Sequence, residues 1–350
     1  MKAIVFYGHE DLRVEQTADP ILQADTDIVL RVEKTAICGS DLHLWNADIA
    51  LEQGWAIGHE FLGKVEEVGS AVQTVKKGDR VFVACTIGCG TCPSCRRGLY
   101  SGCTVTTHNL TMNNVFGFSP FLPGGQAEAV RVPFADANCF HLPSSLDAEE
   151  CLFLTDILPT GYMGAELASV GPGDRVVVFG CGPVGTFAQQ SAQLRGASQV
   201  IAVDLDAGRL ERARERGCEI INAGSENVLE KVLEITRGHL ADSAIEAVGV
   251  PDLVNQAATV TRPGGTVAVV GVISMPFELN WSTFFNRNIS LRTGLVNPQV
   301  FIPQLLPLIE QRKLDPTEII SHRLSLDEGV EGYRIFAEHR DNVLKVVLTP

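Results

Sequence analysis

No run of about 18 apolar residues occurs anywhere in the 350-residue sequence, so no membrane-spanning helix is expected. Basic residues are also scarce: 28 Lys and Arg stand against 42 Asp and Glu, and the formal charge of -14 disfavours a nucleic-acid backbone or an anionic membrane face as partner. The opening Met1-Lys2-Ala3-Ile4-Val5-Phe6-Tyr7 meets Gly8-His9-Glu10-Asp11 before a signal-peptide core could form, and reads as the first strand and turn of a cytoplasmic protein. In such a protein ten cysteines point to metal rather than to disulfides. What remains is an ordinary soluble composition, 45% hydrophobic and 20% charged, in a chain long enough to suggest two domains.

Metal- and proton-handling residues concentrate between Ala36 and Glu60, where Cys38, Ser40, His43, His59 and Glu60 lie within 23 residues. Cys38 follows the strand-like run Ile28-Val29-Leu30-Arg31-Val32, so its thiol is expected at a strand end. Taken singly, a cysteine is more often a small buried hydrophobe and a histidine a satisfied polar group. Together, thiolate and imidazole make a start on a zinc site, whose catalytic form needs three protein ligands and an open fourth place.

A second cluster, Cys89, Cys92, Cys95 and Cys103, has the spacing C-x2-C-x2-C-x7-C, interleaved with Gly88, Gly90, Pro93 and Gly98. Four thiolates close a tetrahedral zinc completely, which makes the site structural; an iron–sulfur cluster takes four cysteines too. Cys85 falls outside the pattern and receives no role. Residues 104–123 lack periodicity, and Phe116, Phe118, Phe121 and Leu122 are candidates to line a substrate pocket.

Up to about residue 150 short alternating runs separated by Gly, Pro and Asp suggest an irregular antiparallel barrel. Beyond it, helix is expected over Met163 to Val170. Arg175-Val176-Val177-Val178-Phe179 then reads as a strand, Gly180-Cys181-Gly182-Pro183-Val184-Gly185 as a glycine turn opening a helix through Leu194, and Gln199 to Val203 as a strand ending at Asp204. That order is the dinucleotide-binding unit: Gly180 for the turn, Gly182 for close approach of pyrophosphate, Gly185 for helix-on-strand packing. Asp204 suits both ribose hydroxyls and would repel a 2′-phosphate, favouring NAD over NADP. Further strands are expected over Asp242 to Ala247, Thr266 to Val270 and Val343 to Leu348, with Gly271 and Val272 bordering the nicotinamide.

The frame Gly58-His59-Glu60-Phe61-Leu62-Gly63, continued by Gly69 and Val72 and set downstream of Cys38-Gly39-Ser40-Asp41-Leu42-His43, resembles the zinc-containing alcohol dehydrogenases of the medium-chain dehydrogenase/reductase superfamily. The resemblance implies an α/β protein with a GroES-like irregular β-barrel catalytic domain (1–155 and 295–350) and a Rossmann doubly wound parallel-sheet NAD-binding domain (156–294). It decides the four-cysteine lobe (85–103) for zinc, giving two zinc ions per chain. It places the catalytic zinc on Cys38, His59 and Asp156, the last by its position four residues before Thr160, which touches the coenzyme; Glu60 is an outer partner or transient ligand. It also implies a proton relay through Ser40 and His43, a basic Arg209 beside the coenzyme, Lys345 on its pyrophosphate, and a cleft between the domains where zinc, substrate and nicotinamide meet. Hydride would pass from a zinc-acidified alcohol to NAD.

Thr155 to Tyr162, with Gly124-Gly125-Gln126-Ala127-Glu128, looks most like the glutathione-independent formaldehyde dehydrogenase-like branch, whose enzymes proper are longer. The expected partner is a small alcohol or aldehyde, with relatives forming homotetramers or homodimers. Rival readings are a polyol or threonine dehydrogenase and, from another class, a non-catalytic zinc- and NAD-binding sensor or structural protein.

Overall fold

A computed structural model describes residues 1–48, 53–107 and 114–350. The chain forms two units, Met1–Pro159 with Val296–Pro350, and Thr160–Leu295. The break thus falls four residues later than the sequence suggests, and Asp156 belongs to the first unit. The helix Ile157–Leu167 crosses the break, earlier than the expected 163–170, because Pro159 sits in its first turn, where no amide donor is needed.

In the first unit β1 (Lys2–Gly8) and β2 (Asp11–Gln16) make an antiparallel hairpin. The next strand, β3 (Ile28–Ile37), outruns its expected end at Val32, since Ala36 and Ile37 are as buried as Ile28 and Leu30. Short β4 (Trp55–Ala56) pairs with β1, and β5 (Glu60–Val68) pairs antiparallel with β3, Ala36 opposite Glu60. Then β6 (Arg80–Val83), β7 (Ala129–Val132) and β8 (Cys139–His141) extend the sheet, β7 on β3 and β8 on β6. Register shifts in the β3–β5 ladder make the barrel irregular. Its core is Ile28, Leu30, Val32, Phe61, Val65, Val81 and Val83.

The second unit holds a six-stranded sheet of β9 (Arg175–Phe179), β10 (Gln199–Asp204), β11 (Glu219–Asn222), β12 (Ala241–Glu246), β13 (Thr261–Val269) and β14 (Ser290–Thr293). All are parallel, in the order β11-β10-β9-β12-β13-β14. On β9, Val177 and Phe179 join one apolar cluster, Val176 and Val178 another. Both faces of this strand are therefore covered, which is why it reads as an unbroken apolar run. Order reverses between β9 and β12, so their carboxyl ends flank a topological switch point.

The chain then returns to the first unit with β15 (His322–Ser325) and β16 (Val346–Thr349). The last strand starts three residues later than expected. The Ser321 hydroxyl, not a neighbouring strand, accepts the amides of Leu344 and Lys345. β16 runs antiparallel to β3 on the side away from β5, Val346 opposite Ile37. Consequently Cys38, His59 with Glu60, and Lys345 stand at one end of three adjacent strands.

Candidate metal centres and coenzyme sheet

Cys38 leaves β3 into the tight turn Gly39–Asp41, and Asp41 reaches back so that Oδ2 accepts the Cys38 amide at 3.0 Å. Gly58, directly before His59, has φ +94, and a Cβ there would lie 2.3 Å from the Gln126 side chain; only glycine leaves that amide in place. Gln126 is held in turn, donating to Ala36 O and to Asp41 Oδ2 and accepting from the Tyr333 hydroxyl.

On this scaffold Cys38, His59, Glu60 and Asp156 are all buried, with one potential ligand atom from each within 4.8 Å of the others. Asp156 Oδ2 is 3.5 Å from Cys38 Sγ and 3.2 Å from His59 Nε2, while His59 Nδ1 is 3.1 Å from Asp41 Oδ1. Ser40 Oγ lies 3.2 Å from His59 Nε2. His43 is turned elsewhere, its Nδ1 3.1 Å from Asp48 Oδ2.

Three buried carboxylates, Asp41, Glu60 and Asp156, pack here with Lys345 as their fixed cation. Burial pushes the Cys38 thiol up, with Lys345 pulling it back. Burial opposes a charged His59, yet the charges of Asp41 and Cys38 hold it well above the usual imidazole range. Burial also raises Asp156, but the hydrogen bond and charge of His59 bring it down to about 2. Uncompensated buried carboxylates are costly. A divalent cation on the Cys38, His59 and Asp156 donors removes that cost, so the donor set fits zinc.

Lys345, expected on the coenzyme pyrophosphate, is fully buried, with Nζ 2.8 Å from Glu60 Oε1 and 2.6 Å from Oε2. Burial alone would discharge this amine; the charges of Glu60 and Cys38 keep its pKa raised. Sequence reasoning also missed Asp41, whose only signal was an acidic residue three past Cys38 at a turn. It missed Cys85 as well, which is buried with Sγ 3.5 Å from Asp156 Oδ1.

Cys89, Cys92, Cys95 and Cys103 form the second donor cluster, again with ligand atoms within 4.8 Å of one another. Backbone amides point at the sulfurs: Cys92 N at Cys89 Sγ, Cys95 N at Cys92 Sγ, Cys89 N at Cys103 Sγ. The Cys95 amide helps bring the Cys92 thiol down to about 5. The Cys103 thiol is lowered as well, whereas burial pushes that of Cys95 up; four sulfurs gathered this closely fit a closed zinc site.

The loop residues proposed for a substrate pocket divide. Phe116 packs edge-on against Phe61 in the barrel core together with Leu122, and Phe121 is 67% exposed. Phe118 borders the metal donors, its ring centroid 5.7 Å from that of His59. Residues 108–113 of this loop lie outside the described residues.

In the second unit Gly185 packs so tightly that a Cβ would lie 1.9 Å from Gly180 O, and Gly180 has φ +95. Gly182 has open room above it, with the Arg209 guanidinium 3.9 Å from where its Cβ would be. Pro183 opens the helix Pro183–Leu194, with Val184 in its first turn. Asp204 ends β10, its carboxylate accepting the amides of Cys181, Leu205 and Asp206. Unforeseen is Glu246, buried at the end of β12, where Oε1 accepts the amides of Val248 and Gly249. Gly271 approaches Gly249 so closely that its Cβ would lie 2.1 Å from the Gly249 amide, and Val272 is next in chain. Thr160 is buried at the start of the unit.

A dinucleotide-type parallel sheet and two buried sulfur-containing donor clusters on one chain define a zinc-dependent dehydrogenase. Comparisons agree. Residues 24–144 match the alcohol dehydrogenase GroES-like domain and residues 183–311 match the zinc-binding dehydrogenase domain. The chain is 38% identical to an uncharacterized zinc-type alcohol dehydrogenase-like protein of Bacillus subtilis, over all of both chains. It is 31% identical to the glutathione-independent formaldehyde dehydrogenase of Pseudomonas aeruginosa, covering 96% of this chain and 94% of that one. Alcohol dehydrogenase TADH from Thermus sp. ATN1 superposes with a TM-score of 0.91 at 39% identity, over 100% and 99% of the two chains. A putative zinc-binding dehydrogenase of Sinorhizobium meliloti, bound to NADP, gives 0.86 at 28% identity, over 100% and 99%. The chain belongs to the zinc-containing alcohol dehydrogenase family, and its reaction class is zinc-dependent oxidoreduction of alcohols with a nicotinamide coenzyme.

Proposed function

We propose that Cys38, His59 and Asp156 hold the catalytic zinc, with Glu60 as outer partner, and that the substrate is a small alcohol or aldehyde hydrate, with NAD as the coenzyme. The observation that carries this is the convergence of those buried donors. Cys89, Cys92, Cys95 and Cys103 hold the second, structural ion. Bound by the first set, zinc supplies a Lewis acid for the substrate hydroxyl, and the coenzyme supplies the hydride acceptor.

The chain's own residues do the rest. Cys38 and Asp156 offer anionic donors, and Asp41 orients His59 through Nδ1 so that Nε2 faces inward. Ser40, whose Oγ lies 3.2 Å from His59 Nε2, is the inner group of the proton relay, and His43, three residues on and paired with Asp48, is its outer group; the two do not touch, and the ribose of a bound coenzyme would link them. Ser40→Ala is expected to reduce turnover about 100-fold or more with the zinc content unchanged; loss of metal alongside activity would make the hydroxyl structural. Phe118 beside His59 favours an apolar substrate over a polyol.

Gly180, Gly182, Pro183, Val184 and Gly185 receive the pyrophosphate, with Arg209 alongside. Thr160, Gly271 and Val272 lie towards the nicotinamide. Asp204 takes the ribose hydroxyls; three amides occupy part of a carboxylate that has about four acceptor positions. Asp204→Ser is expected to lower the NAD over NADP preference by about tenfold or more in kcat/KM. An unchanged ratio would remove Asp204 from coenzyme selection.

The same chain pairs with its own copies in a cytoplasmic homo-oligomer. β14 is an edge strand with all four residues exposed, and Trp281 and Phe285 beside it are 66% and 68% exposed. Leu291→Asp on that edge is expected to yield monomers by sedimentation; an unchanged species would place the interface elsewhere.

The deciding experiment follows nicotinamide reduction by the zinc-loaded protein with NAD and NADP separately. The substrates are primary, secondary, aromatic and polyol alcohols, and formaldehyde without glutathione. NAD-linked turnover that stops on chelation is expected. Turnover that survives removal of both metals would overturn the reading.

A further inference from the structure

Asp156 has two distinct sides. Oδ2 faces Cys38 Sγ at 3.5 Å and His59 Nε2 at 3.2 Å, whereas Oδ1 faces Cys85 Sγ at 3.5 Å. Cys85 is 2% exposed, and its own backbone is pinned on both sides of the thiol: its amide donates to Thr155 O at 2.9 Å, and its carbonyl accepts the Phe116 amide at 3.2 Å. A thiol fixed in this way is an S–H donor with a carboxylate oxygen in front of it.

We propose that Cys85 is a positioning residue that donates its S–H to Asp156 Oδ1, so that Asp156 meets the metal through Oδ2 alone. This rests on the assignment of the catalytic zinc to Cys38, His59 and Asp156. A zinc with three protein ligands keeps a fourth place for the substrate oxygen. An Asp156 free to turn would present both oxygens and fill that place itself. Holding Oδ1 with a hydrogen bond keeps the carboxylate to one ligand atom and the place open. Cys85 lies only four residues before Cys89, the first cysteine of the structural site, yet it belongs to the other metal centre.

The test compares Cys85→Val, which keeps apolar bulk and removes the donor, with Cys85→Ser, which keeps a donor, in the full chain with cobalt in place of zinc. The structural site contributes equally to all spectra and cancels in the differences. Cys85→Val is expected to retain two metals per chain but to show a weaker visible cobalt band, because a second carboxylate oxygen raises the coordination number. Metal release to a chelator should shift by about 10- to 100-fold, and Cys85→Ser should resemble the wild type in both readouts. Should Cys85→Val not fold, Cys85→Ala serves the same comparison. Identical spectra and release rates for the donor-free variant would reduce Cys85 to packing, and loss of a sulfur-to-cobalt charge-transfer band in Cys85→Ser would make it a ligand; either result overturns the proposal. A wild-type protein holding only the structural metal would instead defeat the underlying assignment.

Discussion

Cys38→Ala is expected to lower alcohol-dependent NAD reduction by about three orders of magnitude or more and to cut the zinc content from two ions per chain to one. The remaining inward donors, His59 Nε2 and Asp156 Oδ2, are one short of the three that a catalytic zinc requires. Lewis-acid assistance contributes several kcal/mol to such a barrier, and about 1.4 kcal/mol corresponds to tenfold in rate. NAD affinity should stay within about twofold, because the coenzyme motif lies on Thr160–Leu295 and Cys38 on the other unit. Metal analysis, steady-state rates and an NAD titration on one preparation check this. A variant that keeps both ions and its turnover would remove Cys38 from the ligand set.

Cys95→Ala should act on folding rather than on chemistry. The four-cysteine lobe has a core made of the candidate donors themselves: Cys92, Cys95 and Cys103 are its buried apolar residues, with Cys89 and Tyr100 packed against them. Without the ion, little apolar burial holds it together. Structural zinc contributes on the order of 10 kcal/mol, comparable with the whole stability of an ordinary domain, about 5–15 kcal/mol. Poor soluble yield or a large fall in the thermal midpoint is expected, with one zinc per chain. Cys139→Ala is the control, a buried cysteine outside both donor clusters whose removal should cost only about 1 kcal/mol. Equal midpoints for the two variants would show that the lobe does not depend on its metal.

Local rules reached some of this architecture and stopped short of the rest. Arg175–Phe179 and the helix end at Leu194 are read from sequence with their observed bounds because Gly173-Asp174, Gly180 and Pro183 punctuate a strongly apolar run. The two donor clusters are legible because cysteine and histidine at such spacings are rare without a purpose. Lys345 is not, since its partner Glu60 is 285 residues away and only the register of β16 and β5 on β3 brings them together. Spacing sets Cys85 apart from the lobe cysteines but gives it no role; the structure supplies one by placing its thiol 3.5 Å from Asp156 Oδ1. In the aromatic loop the sequence does not separate core from site, because apolar residues without period can equally be core, as Phe116 and Leu122 are.

The insertion of Thr160–Leu295 into the first unit has a consequence in time. Chains grow at about 5–20 residues per second, so Lys345, 285 residues behind Glu60, is made roughly 14 to 57 s later. The whole coenzyme sheet is synthesised within that interval and can fold as a unit, while the barrel waits for β16. Until that strand arrives, Glu60 has no cation, and the nascent barrel carries an unpaired carboxylate where the finished one is dry. Late delivery of one lysine makes the buried cluster of candidate metal donors among the last parts of the newborn protein to close.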